Sequence, residues 1–284
     1  MTLGEPRSWE RASQITVGWI TGIIGEKMNW DAVVQAVAPV VVKIETPSGH
    51  GTGFLCLYNE PRTFLGIATA YHVVKHAEQW QEPIRITNFS TGTSAFLRET
   101  ERVIFPEQEK DSAVILFSTG QLNFPEEIVQ LLPTDNRLPL GTEVGWLGYP
   151  ALASATLCFF AGNISAWQDF RSAYLVDGVA INGVSGGPVI CCAPTESPGR
   201  ALIVGAISAY FANRATGETL PGLSVAQDVS HFHQIIAQVK SWDEAQKKKQ
   251  ELEQQKPQPV ADPPTPAAEP PTESPEQPPC QSRA

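Results

Sequence analysis

The chain has 284 residues, 42% of them hydrophobic and 18% charged, with a formal net charge of −10. That length allows one large domain or two small ones with cores of their own. An acidic chain with no stripe dense in Lys and Arg excludes an electrostatic nucleic-acid binder.

The first 13 residues carry Glu5, Arg7, Glu10 and Arg11, which is unlike a secretory signal. The apolar run at 15–24 is about half the length of a spanning helix, so packing is expected there rather than membrane contact. Asn29 is placed to cap a short helix that Pro39 ends. Val40-Val41-Val42-Lys43-Ile44 reads as a strand. The cluster Gly49-His50-Gly51-Thr52-Gly53 leads into another strand, Phe54-Leu55-Cys56-Leu57-Tyr58. A phosphate-cradling loop should open a helix, so a hairpin or bulge is the better reading. Residues 63–70 form a third strand, which runs straight into Tyr71-His72-Val73-Val74. Short strands follow at 84–87, 94–97 and 102–105. Asp111 stands at the entrance of one more, Ser112-Ala113-Val114-Ile115-Leu116-Phe117. Residues 118–141 read as a connector.

The second half repeats this style. Strands are expected at 144–147, 155–161, 164–167, 173–176, 188–192, 201–207 and 222–226. Short strands about ten residues apart, with few helical stretches between them, indicate an all-β sandwich or barrel rather than β-α-β units. Residues 229–239 read as a closing helix capped by Asp228 or Ser230, with Phe232, Ile235, Ile236 and Val239 on one face. From Ser241 the composition turns polar. Residues 256–284 hold ten prolines among 29 residues, which predicts disorder. The Pro-x-x-Pro match at 263–266 is weak evidence for a partner.

The five cysteines, Cys56, Cys158, Cys191, Cys192 and Cys280, include no Cys-x-x-Cys pair and no structural metal spacing. Cys191 and Cys192 would point to opposite faces of a strand and fit poorly as a disulfide. No disulfide, metal or cofactor is therefore expected, and a reducing, cytoplasmic setting is.

The candidate chemistry lies at Asn182-Gly183-Val184-Ser185-Gly186-Gly187-Pro188-Val189. A serine hydroxyl needs a base to take its proton and N–H groups aimed at the oxyanion. Glycines on both sides allow a turn tight enough to present them. The histidines are His50, His72, His76, His231 and His233. Only His72, at a strand end, has a compelling functional reading; the others read as structural or exposed.

Together these segments resemble the trypsin-like serine proteases. Thr69-Ala70-Tyr71-His72-Val73-Val74 is similar to the family's histidine segment, Lys110-Asp111-Ser112-Ala113-Val114-Ile115 to its aspartate segment, and Gly183 to Val189 to its nucleophile segment. The order His, Asp, Ser is that of the fold. The likeness is closest to the HtrA-type branch. It rests there on residues 38–44, Gly51-Thr52-Gly53-Phe54, Gly145-Trp146-Leu147-Gly148-Tyr149-Pro150, Asp177, and Gly222-Leu223-Ser224-Val225-Ala226, and it covers residues 36–240. The resemblance implies two antiparallel six-stranded β-barrels: 36–125, then 126–240 with the closing helix. Residues 1–35 would be an N-terminal extension, and 241–284 a polar, then Pro-rich tail.

By the same resemblance His72 is the general base, Asp111 its orienting partner and Ser185 the nucleophile. The N–H groups of Gly183 and Ser185 form the oxyanion hole, each donor worth roughly 3–4 kcal/mol in well-studied cases. Val179, Ser208, Ala209 and Tyr210 should border the pocket for the residue before the cut. None is acidic, so a small or medium apolar preference is expected. The sequence departs from the family at four points. Val184 replaces the usual Asn or Asp, so activation by a freed N-terminus is not expected. Cys56 lacks the partner cysteine found after the histidine in secreted members. The polar tail stands where a PDZ-like domain would follow. Tyr71 replaces a small residue before His72.

Two other readings compete. An α/β-hydrolase would use the order Ser, acid, His, with His231 or His233, but Gly186-Gly187-Pro188-Val189 breaks the helix that its serine should open. A catalytically silent protease-fold module, binding substrates and recruiting partners through the tail, is the alternative from a different class.

Overall fold

The computed structural model describes residues 29–120, 122–192, 201–213 and 220–254, without the side chains of 192, 210–213 and 220–221. The apolar run at 15–24, Cys280 and the Pro-rich tail lie outside these. Helix α1 spans Trp30–Val37, and Asn29 Oδ1 accepts from Ala32 N–H at its start. A single 3-10 turn through Pro39 ends it. Val33 and Val37 are fully buried, and Trp30 Nε1 donates to Glu143 Oε1 at 2.8 Å. This helix therefore joins the folded body.

The first sheet contains β1 (Val41–Thr46), β2 (Gly49–Tyr58), β3 (Phe64–Ala70), β4 (Ile84–Asn88), β5 (Ser94–Leu97), β6 (Arg102–Glu107) and β7 (Ser112–Ser118). All neighbours are antiparallel, in the order β5-β4-β1-β2-β3-β7-β6. Helix α2 (Tyr71–Gln79) follows β3 directly. The strand expected at 63–70 ends at Ala70, and the chain there coils into the helix that buries Tyr71, Val74 and Ala77 on one face.

The second sheet contains β8 (Gln130–Leu131), β9 (Glu143–Gly148), β10 (Cys158–Gln168), β11 (Ala173–Asp177), β12 (Pro188–Cys192), β13 (Ala201–Asn213) and β14 (Leu220–Asp228). Pairing of β12 with both β9 and β13 closes six of these strands into a barrel, and β8 adds to β13 in parallel. The trypsin-like double barrel is therefore present, with two differences from six plus six. The first sheet has seven strands whose edges, β5 and β6, are not paired with each other, and the second carries β8 beside its closed ring.

Two strands expected at 155–161 and 164–167 are one, β10, which continues through Gly162 and bulges after Ile164. A Cβ on Gly162 would lie 2.3 Å from Asp177 O, so the glycine marks a close approach of β11 and not a break.

Period-2 alternation in the central strands builds two cores. Leu55, Ile67 and Ile115 point into the first, while Phe54, Cys56, Ala68, Val114 and Leu116 point toward the second. That is why β2, β3 and β7 read as unbroken apolar runs. Helix α3 (Ser230–Gln254) seats Phe232 edge-on to Phe54, with centroids 5.7 Å apart. Burying such a ring contributes about 1.5–3 kcal/mol. Residues 245–254 of α3 belong to a separate unit and are exposed. Among the described residues no helix is long and apolar enough to cross a membrane.

Candidate active site

His72 is the second residue of α2, immediately after β3, and Asp111 precedes β7, the neighbour of β3. The pairing of Ala70 with Ser112 brings the two together. His72 Nδ1 lies 2.8 Å from Asp111 Oδ2, and the His72 N–H donates to Oδ1 at 2.9 Å. Tyr71 N–H donates to Asp111 O at 3.0 Å. Asp111 has φ +46°, a left-handed conformation that Asp tolerates better than most residues. Its five ties, to the backbone of Tyr71, His72 and Gln108, to His72 Nδ1 and to Ser208, hold it there.

Ser208 was expected to border the substrate pocket. It does line the cavity, but its Oγ also donates to Asp111 Oδ2 at 2.8 Å. Burial alone would raise the Asp111 pKa. The hydrogen bond and charge of His72, the Ser208 hydroxyl and the His72 N–H outweigh it and hold the pKa below 3.8. An ionised carboxylate only accepts, so Nδ1 of His72 carries the proton and Nε2 is left as the basic nitrogen.

Ser185 sits on a loop shaped by Gly183 (φ +93°) and Gly186 (φ +84°). At Gly186 a Cβ would fall 2.1 Å from Thr52 O and 2.2 Å from Thr69 Oγ1, so only glycine fits. Asn182 O accepts from Ala151 N–H at 2.6 Å. In a trans peptide the next N–H points the opposite way, so the Gly183 N–H is turned from that loop. Among the described residues neither Gly183 N–H nor Ser185 N–H is spent on a backbone acceptor. Val184, fully buried and apolar, packs against Gly148 without any carboxylate.

A cavity of about 340 Å³ opens on His72, Asp111, Ser185, Asn182, Ala180, Ile181, Ile207, Ser208 and Ala209. Three proposed catalytic residues, from two barrels, thus share one opening. Of the other pocket residues foreseen, Ala209 lines the cavity, Val179 is 45% exposed and does not line it, and the Tyr210 side chain lies outside the described residues. The remaining histidines do not line this cavity. His76 pairs with Glu82, His231 is buried against Ser112, and His233 Nε2 lies 2.9 Å from Leu132 O. His50 stands opposite Glu45 on β2, with its Nε2 enclosed against Gly183. Sequence reasoning missed Thr52, whose backbone and side chain both reach the Ser185 loop; a threonine among glycines gives no signal beyond a turn. No group of three or more metal-ligating side chains occurs among the described residues.

Comparison with known proteins bears on the fold and the family. No curated protein sequence matches the chain. The chain is similar in structure to a serine endoprotease from Yersinia pestis, with TM-score 0.53 and 18% identity over 76% of this chain and 68% of that one. At that identity the likeness speaks for the double-barrel fold. Residues 51–193, half of the chain, match the trypsin-like peptidase domain, and they contain His72, Asp111 and Ser185. The chain belongs to the trypsin-like peptidase domain family.

Proposed function

We propose that this chain is a serine endopeptidase in which Ser185 is the nucleophile, His72 the general base and Asp111 the residue that orients the base. The observation that carries this reading is the cavity shared by Ser185 and the His72–Asp111–Ser208 network. Ser185 Oγ attacks the scissile carbonyl carbon while its proton passes to His72 Nε2. Asp111 stabilises the imidazolium through Nδ1. The carbonyl oxygen becomes an oxyanion that accepts from the N–H groups of Gly183 and Ser185. Collapse breaks the C–N bond, and His72 gives its proton to the leaving amine. Water, deprotonated by His72, then attacks the acyl-serine, and Ser185 leaves with the proton returned.

Apolar Ala180, Ile181, Ile207 and Ala209 line the cavity, which supports cleavage after a small or medium apolar residue. Free thiols at Cys56 and Cys158 support a reducing, cytoplasmic setting. The Pro-rich tail is the proposed partner-binding segment. The test is incubation with an unfolded protein substrate. Wild type should release peptides and Ser185→Ala none; intact substrate with wild type leaves the alternative, a silent binding module.

A further inference from the structure

The nucleophile loop needs something to fix it in place. Its central residue, Val184, is apolar and cannot form a buried ion pair. Thr52 on β2 is fully buried and has all of its polar groups committed around this loop. Its N–H donates to Ser185 O at 2.8 Å. Its hydroxyl donates to Gly183 O at 2.8 Å and accepts from Tyr149 N–H at 3.0 Å. Its carbonyl accepts from Thr69 Oγ1 at 2.7 Å. One residue of the first barrel therefore grips the second barrel's loop on both sides of the nucleophile, and ties it to the strand end that precedes His72.

We infer that Thr52 is a positioning residue for the oxyanion hole, its hydroxyl fixing the Gly183–Val184 peptide plane that lies between the two planes whose N–H groups receive the oxyanion. The logic is geometric. Gly183 O is held by Thr52 Oγ1, and Asn182 O by Ala151 N–H, so the two peptide planes flanking Gly183 are each pinned by their carbonyl oxygen. The plane between Asn182 and Gly183 carries the first donor. The plane between Val184 and Ser185 carries the second, and Ser185 O just beyond it is pinned by Thr52 N–H. A fixed donor acts on the transition state without reorganising during the reaction. Without the hydroxyl, Gly183 O and Tyr149 N–H are left unpaired in a buried interface, and the loop turns to satisfy them elsewhere.

This inference rests on the endopeptidase reading, and one experiment separates them. Rates of fluorophosphonate labelling of Ser185, and kcat and KM on a small peptide ester, are measured for wild type, Thr52→Ser, Thr52→Val and Cys56→Ala. Folded fraction is set equal by thermal melts. Cys56 is buried on the same strand, its Sγ donating to Gly66 O and making no hydrogen bond to the Ser185 loop, and it controls for lost packing. Thr52→Ser keeps the donor and should stay within about twofold of wild type. Thr52→Val should label about ten- to hundredfold more slowly, part of what a lost oxyanion donor costs, through kcat with KM little changed. Cys56→Ala should lose stability but label like wild type. The inference is overturned if folded Thr52→Val labels within twofold of wild type, or if Thr52→Ser is as slow as Thr52→Val. Should Thr52→Val not fold, Thr52→Cys, a weaker donor of similar size, takes its place with the same two outcomes. A wild type that neither labels nor hydrolyses the ester overturns the endopeptidase reading, and this inference with it.

Discussion

Ser112 Oγ and His231 Nδ1 lie 2.8 Å apart, buried, and join the strand that follows Asp111 to the first turn of the closing helix. On the other side of Asp111, Lys110 Nζ donates to Ser230 Oγ at 2.7 Å. Both neighbours of the proposed orienting carboxylate are thus held by consecutive residues of α3. The left-handed turn at Asp111 is fixed from outside the cavity as well as from within it.

This pair gives a pH dependence of stability. Burial holds the His231 imidazole below its ordinary 6.5, with Glu107 pulling the other way and Lys110 adding to the shift. Below pH 6.5 the unfolded chain binds a proton at this residue before the folded chain does. Stability from this source is therefore complete above 6.5 and declines as pH falls below it. Wild type should lose more melting temperature than His231→Gln between about pH 7.5 and 5.5. Equal losses in the two proteins contradict the assignment.

Asp111→Asn should fold, because Asn also tolerates a left-handed φ. It should nevertheless turn the His72 tautomer and lower kcat by about 10⁴. Ser208→Ala removes one of the bonds that orient Asp111 and should cost about tenfold in kcat, in line with a hydrogen bond to a charged group. Steady-state kinetics on a peptide ester reads both. A Ser208→Ala effect as large as that of Asp111→Asn would mean that Ser208 does more than hold the carboxylate.

Arg102 is 8% exposed and donates to Leu97 O, Ala77 O and Glu82 O at 2.7, 3.2 and 2.6 Å. It ties β5 and the end of α2, the helix that carries His72, to β6. Arg102→Ala should destabilise by about 3 kcal/mol by leaving buried carbonyls unpaired. Arg102→Lys should recover little, since an ammonium lacks the planar fork that spans three carbonyls. Urea unfolding measures both variants, and a loss near zero would show that water replaces the guanidinium.

A peptide-library profile tests the pocket. With Ala180, Ile181, Ile207 and Ala209 as lining, cleavage should follow small or medium apolar residues. A profile dominated by Lys or Arg would contradict that lining as the primary specificity site.

Much of this architecture is legible in the sequence because local signals agree with it. β-Branched runs bounded by Gly, Asn and Pro became strands, and Asn29 and Pro39 bracket α1 as their chemistry requires. The segments of the proposed triad are legible because each places a chemically capable residue at a strand end or tight turn. What escaped reading depends on partners distant in sequence. The strands expected at 155–161 and 164–167 are joined through Gly162, a continuity that escapes reading because the approach of Asp177 is invisible from position 162. Ser208 lines the cavity as expected, but its bond to Asp111 was not foreseen because nothing local says that it faces that residue. Thr52 and His231 act across barrels and helix, with partners 131 and 119 residues away.

The central claim is that Ser185 is an activated nucleophile whose base is His72. The most direct measurement is covalent labelling by a fluorophosphonate probe, with the modified residue located by peptide mass spectrometry. Wild type should be labelled at Ser185, His72→Ala weakly and Ser185→Ala not at all. Equal labelling of wild type and Ser185→Ala, or no labelling of folded wild type, would contradict the claim.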